Sequence, residues 1–108
     1  MDRLQERVRR FHQRFKVART VDVYLLDLTS EVGELAKEYL RIIDYGEKTA
    51  ASVQPSEAFA AELGDVLYSL LSLVDAAGLD AKALLEAALT KYEARISAKG
   101  SMGSSPES

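Results

Sequence analysis

Cysteine is absent from the 108 residues, which excludes a disulfide framework, a thiolate metal site and a cysteine nucleophile. Tryptophan is also missing, and histidine occurs once, at His12. With a single histidine the chain cannot supply the paired Glu-x-x-His motifs of a di-iron bundle. Proline interrupts the first 97 residues only at Pro55. No apolar run approaches the roughly 20 residues of a membrane span, and the opening MDRLQERVRR is charged where a signal peptide needs an apolar stretch. These absences lead us to expect a cytoplasmic protein with no membrane partner.

The chain does contain enough apolar residues, 47%, for one modest core, and is too short for two domains. Its net charge of −3 is unevenly spread. Residues 1–20 hold seven Lys or Arg against Asp2 and Glu6, a net of +5, while the remainder holds seven against fifteen, a net of −8. An acidic body argues against nucleic acid as a partner, because such binding rests on many cationic contacts to phosphates. A small phosphorylated ligand needs only a few.

Apolar residues recur at three- and four-residue spacing and no β-branched runs occur, so the pattern predicts an all-α fold with four helices. The first runs from about Asp2 to Val17 with a stripe of Leu4, Val8, Phe11 and Phe15. The second begins at Thr20, a good N-cap, and ends at Gly46. A loop over 46–54 precedes Pro55, suited to the opening turn of a third helix that reaches about Ala77. Its expected buried stripe is Phe59, Leu63, Val66, Leu67, Leu70, Leu71 and Val74. Asp80 caps a fourth helix ending near Ser97. The domain therefore covers 1–97, and the small, polar, glycine-rich 98–108 is expected to be a disordered tail.

Carboxylates concentrate on two of these helices. Asp27, Glu31, Glu34 and Glu38 fall within about 60° of one another at 100° per residue, beside the apolar stripe of the second helix. Like charges at these spacings cost roughly 0.2 to 0.5 kcal/mol per pair, so helix stability alone would intersperse Lys or Arg. Glu62 and Asp65 repeat the device on the third helix. A lone ExxE is usually a solvated face; two such pairs bordering apolar stripes suit a hard cation, Mg²⁺ or Mn²⁺, held by oxygen ligands.

Glu31-Val-Gly-Glu34-Leu followed by Glu62-Leu-Gly-Asp65-Val-Leu resembles the ExxE and ExxD signature of MazG-like, all-α nucleoside triphosphate pyrophosphohydrolases. The SLLSLVDAAGLD segment resembles the end of that family's third helix, and Lys91 with Arg95 falls on the KxxxR of its fourth, so the likeness covers roughly 20–97. It implies a four-helix protomer that assembles as a dimer or tetramer, with a groove partly closed by a neighbouring chain. It also implies that Glu31, Glu34, Glu62 and Asp65 are the catalytic and Mg²⁺-binding acids, with Mn²⁺ a possible substitute, and that Lys91 and Arg95 bind substrate phosphates. The implied reaction is water attack at the α-phosphorus of a canonical or damaged (deoxy)nucleoside triphosphate, giving monophosphate and pyrophosphate. Phosphoryl transfer of this kind needs positioning and charge neutralisation rather than a covalent nucleophile.

Departures from the pattern bear on detail. Many members place a second acid where this chain has Ser30, and Glu38 is the acid placed to compensate. Some relatives carry a basic residue where Ala58 stands, and pyrimidine-specific ones enclose the base with tryptophans that this chain lacks. Phe11, Phe15 and Tyr24 read as packing residues and His12 as an exposed helical histidine without function. The arginine-rich first helix is read as pairing with the acidic body of a partner chain. Two alternatives stand beside the leading one: a phosphoribosyl-ATP pyrophosphohydrolase, against which Ser69 counts because such relatives often have histidine there, and a non-catalytic helical oligomer that binds nucleotides or partners.

Overall fold

A computed structural model describes residues 3–48 and 54–99. The helices are α1 (Arg3–Phe15), α2 (Val21–Ile42), α3 (Glu57–Ala76) and α4 (Ala81–Lys99), and no strand occurs among the described residues. The all-α reading holds. The tail beyond Lys99 and the middle of the 46–54 loop lie outside the described residues, and α4 runs two residues past the expected domain end.

The helix ends follow from local chemistry. Thr20 occupies the N-cap of α2 in an extended conformation, although its side chain makes no cap bond. Helix α2 stops at Ile42, short of Gly46, because Asp44 and Tyr45 take left-handed backbone angles before Gly46 at φ 101°. A 3-10 turn over Asp44–Gly46 absorbs this change of direction. Helix α3 starts at Glu57, with Pro55 outside it; Ser56 is its N-cap, and the Ser56 Oγ accepts a hydrogen bond from the Phe59 N–H at 3.0 Å. Gly78, at φ 73°, turns the chain between α3 and α4.

Helices α2 and α3 form the main packed pair, α1 lies against α3, and α4 leaves the end of α3 with little contact along its length. The buried apolar residues are few: Tyr24, Leu71 and Val74. They are accompanied by buried Gln5, Ser69 and Ser72. The expected stripe of α3 is thus only partly inside. Leu63, Leu67 and Leu70 are 43–48% exposed, and α1 borders Leu67 across an open groove without closing over it. Helix α1 likewise turns a polar edge inward: Gln5 is buried while Leu4, Phe11 and Phe15 stay about half exposed. The backbone groups and carboxylate at the α3–α4 corner need polar partners, and Gln5 supplies them.

Candidate metal centre and adjoining groove

Glu31 projects from α2, and Glu62 and Asp65 from successive turns of α3, into the seam between the two helices. Each offers a carboxylate oxygen, and these atoms lie within 4.8 Å of one another. Glu31 and Glu62 are half-buried and Asp65 is exposed. Helical spacing explains the convergence: Glu62 and Asp65 are neighbours at i and i+3, and the pairing of α2 with α3 brings Glu31 between them.

Burial pushes the Glu62 carboxyl above the usual carboxylate range, and the negative charges of Asp65, Glu31, Glu34 and Glu38 push it further in the same direction. Glu34 and Glu38 therefore belong to the same electrostatic field, although neither is one of the converging three. Glu38 is engaged elsewhere, accepting from Arg41 Nη1 at 2.7 Å with only 14% of its side chain exposed. Glu34 is exposed. Three hard oxygen donors converging with excess negative charge match what a small divalent cation requires.

Lys91 and Arg95 sit apart from this centre. The Lys91 ammonium lies 5.4 Å and the Arg95 guanidinium 5.6 Å from the centroid of the Tyr92 ring. Neither forms an ion pair with the acids among the described residues, and α4 makes no substantial contact with α2. One chain thus brings together Glu31, Glu62 and Asp65, keeps Glu34 and Glu38 within electrostatic range, and leaves the two cations on a separate helix.

Two turns from the acids, the same seam opens into a second feature. Tyr24 precedes Glu31 by seven residues and Ser72 follows Asp65 by seven, so each stands about 11 Å along its helix from the centre, on the same face. His12 of α1 closes this end. Its Nε2 lies 2.8 Å from the Tyr68 hydroxyl and 3.4 Å from Ser72 Oγ. Its ring stacks on Tyr24, with centroids 5.7 Å apart and planes 13° apart, and Tyr68 meets it edge-on at 5.6 Å. A cavity of about 230 Å³ adjoins, lined by residues that include Arg9, His12, Arg19, Tyr24, Ser72 and Asp75.

His12 is therefore half-buried in an aromatic and polar nest, not the exposed helical residue that its Arg- and Gln-rich surroundings suggest. Burial lowers its proton affinity, against the opposing pull of Asp75. The seven-residue offsets of Tyr24 and Ser72 from the acids were readable in the sequence; the docking of α1 was not, because no local pattern encodes it.

A family model described as MazG nucleotide pyrophosphohydrolase domain matches residues 19–98. No curated protein and no solved structure matches the chain.

Proposed function

The chain belongs to the MazG nucleotide pyrophosphohydrolase family, and from that premise we propose that it hydrolyses (deoxy)nucleoside triphosphates to monophosphate and pyrophosphate with Mg²⁺ as cofactor. The observation that carries this reading is the convergence of Glu31, Glu62 and Asp65 within 4.8 Å. These three would hold the cation, which when bound supplies charge neutralisation for the triphosphate and makes the α-phosphorus more open to attack.

The chain's own groups account for the rest. With Glu38 tied to Arg41, Glu34 is the acid left to orient a water and take its proton. The water oxygen forms a bond to the α-phosphorus, the bond from that phosphorus to the α–β bridging oxygen breaks, and pyrophosphate leaves. The aromatic cavity at His12 and Tyr24 stands about 11 Å from the acids, a span suited to a base whose α-phosphate lies at the centre. His12 and Tyr24, stacked on each other, would form the wall against which that base lies.

Lys91 and Arg95 serve the triphosphate in an assembled oligomer, dimer or tetramer, which also covers the exposed leucines of α3. The protein acts on a free nucleotide, with neither nucleic acid nor membrane as partner, in the cytoplasm. No helix among the described residues is long and apolar enough to cross a membrane.

The decisive experiment incubates purified protein and millimolar Mg²⁺ with a panel of nucleotides and measures pyrophosphate and orthophosphate separately. Pyrophosphate is expected. Its absence across the panel, with control enzymes active, would refute the assignment.

A further inference from the structure

Helix α1 meets α3 through Phe11, edge-on to Tyr68, and is fastened more deeply by a polar edge. Gln5 is completely buried and uses both ends of its amide. Nε2 donates to Asp75 Oδ1 at 3.1 Å and to the Leu79 carbonyl at 2.9 Å. Oε1 accepts from the Ala81 N–H, the first of α4, at 2.7 Å. One turn on, Arg9 donates to the same carboxylate, with Nη2 2.6 Å from Asp75 Oδ1 and Nε 3.0 and 3.3 Å from its two oxygens. Another turn on is His12. Gln5, Arg9 and His12 thus stand at i, i+4 and i+7 on a single edge.

The arrangement joins three elements through one side chain. Helix α4 touches the rest of the chain sparingly, so its direction depends on how its first turn is held. At about 1.5 Å per residue Lys91 lies roughly 15 Å and Arg95 roughly 21 Å beyond Ala81. A tilt of about 10° at the corner moves Lys91 by roughly 2.6 Å, more than a phosphate contact tolerates. The same amide anchors the end of α1 two turns from the His12 ring that closes the groove.

We propose that Gln5 is a positioning residue for substrate binding: by clamping α1 to Asp75 and to the first N–H of α4, it sets both the His12 wall of the groove and the direction of the helix that carries Lys91 and Arg95. The inference rests on the nucleotide assignment for its kinetic consequence, but not for its structural one. Gln5 lies outside the segment matched by the family model and is not among the acids of the centre.

The single histidine gives a direct probe, because its ring protons are resolved by NMR without interference from another imidazole. His12 is faced by Tyr24 from α2, by Tyr68, Ser72 and Asp75 from α3, by Arg19 from the segment before α2, and by Arg9 on its own helix. Burial holds its titration low, outweighing the pull of Asp75. Releasing α1 relieves the larger effect, so in Gln5→Ala the His12 titration is expected to move up toward the ordinary histidine value. KM for the best nucleotide should rise about tenfold, the equivalent of one net hydrogen bond, with kcat nearly unchanged. Should the alanine variant fail to fold by circular dichroism, Gln5→Met keeps the volume and carries the same expectations.

A wild-type His12 titration in a folded variant, or an unchanged KM, overturns the proposal. If the wild-type protein released no pyrophosphate from any nucleotide, the functional assignment would fall while the His12 titration still decided the clamp.

Discussion

Glu62 and Asp75 are both acids on α3, and their surroundings drive them in opposite directions. Glu62 is raised by burial and by like charges. Its contribution to stability is complete below the unfolded carboxylate value and is lost as pH rises through the elevated folded value. Metal-free protein should therefore melt at a lower temperature as pH rises through that window, and Glu62→Gln should remove this dependence and raise the neutral-pH Tm. Mg²⁺ at a hundred times its Kd stabilises a fold by about 2.7 kcal/mol; this gain should appear in the wild type and vanish in Glu62→Gln or Asp65→Asn. The same variants should lose turnover by a factor on the order of 10² or more. A retained Mg²⁺-induced Tm shift in both would remove the converging acids from consideration as the centre.

Asp75 is lowered, first by its hydrogen bond from Arg9; desolvation opposes this as the next largest effect, and the hydrogen bond from Gln5 and the nearby positive charges add smaller lowering contributions. Its contribution is present above the unfolded carboxylate value and is lost as pH falls through the depressed folded value. Acid denaturation followed by circular dichroism should accordingly begin at higher pH in Asp75→Asn than in the wild type. Coincident acid transitions would mean that the Arg9 pair, 41% exposed on the arginine side, is screened into insignificance.

At the scale of elements, caps and corners determine where each helix points. Ser56 closes the first turn of α3 through the Phe59 N–H, and Ser56→Ala should cost about 1 kcal/mol, read as a lower urea midpoint with unchanged slope. Because α3 carries Glu62 and Asp65 one and two turns further on, fraying there would also loosen the centre. The ladder on α2 was legible from spacing alone, since side chains at i, i+3 and i+4 share a face whatever the tertiary context. Helix α1 was not: its apolar stripe of Leu4, Phe11 and Phe15 suggested the buried side, yet Gln5 is the residue inside. A hydrogen-bonding demand at the distant α3–α4 corner, invisible to periodicity, turned the helix.

For the whole molecule, the radius of gyration is 17.1 Å, against about 13 Å for a compact chain of this length. The excess comes with aliphatic side chains left in water: Leu63, Leu67 and Leu70 on α3, and Leu84, Leu85, Leu89 and Ile96 on α4, all at least 42% exposed. On the helical wheel Leu63, Leu67 and Leu70 stand about 80 to 140° from Glu62, and Val32 and Tyr39 about 80 to 100° from Glu31. Burying such a surface would contribute roughly 25 cal/mol per Å², so the chain is expected to elute as an oligomer in multi-angle light scattering. A Leu67→Glu variant should shift it toward monomer while retaining helical circular dichroism. A monomeric wild type at micromolar concentration would contradict this expectation.

The sequence alone carried whatever depends on neighbours along the chain: four helices, the separation of α3 from α4 ahead of Asp80, and the acids grouped on α2 and α3. Helix formation and side-chain faces follow from local geometry, so they survive without knowledge of the fold. Long-range packing was needed to show that Glu31 joins Glu62 and Asp65, that His12 lies against Tyr24, Tyr68 and Ser72, and that Gln5 spans α1, α3 and α4. Those contacts join residues 12 to 76 positions apart, and packed helices favour them where buried polar groups would otherwise be left unsatisfied.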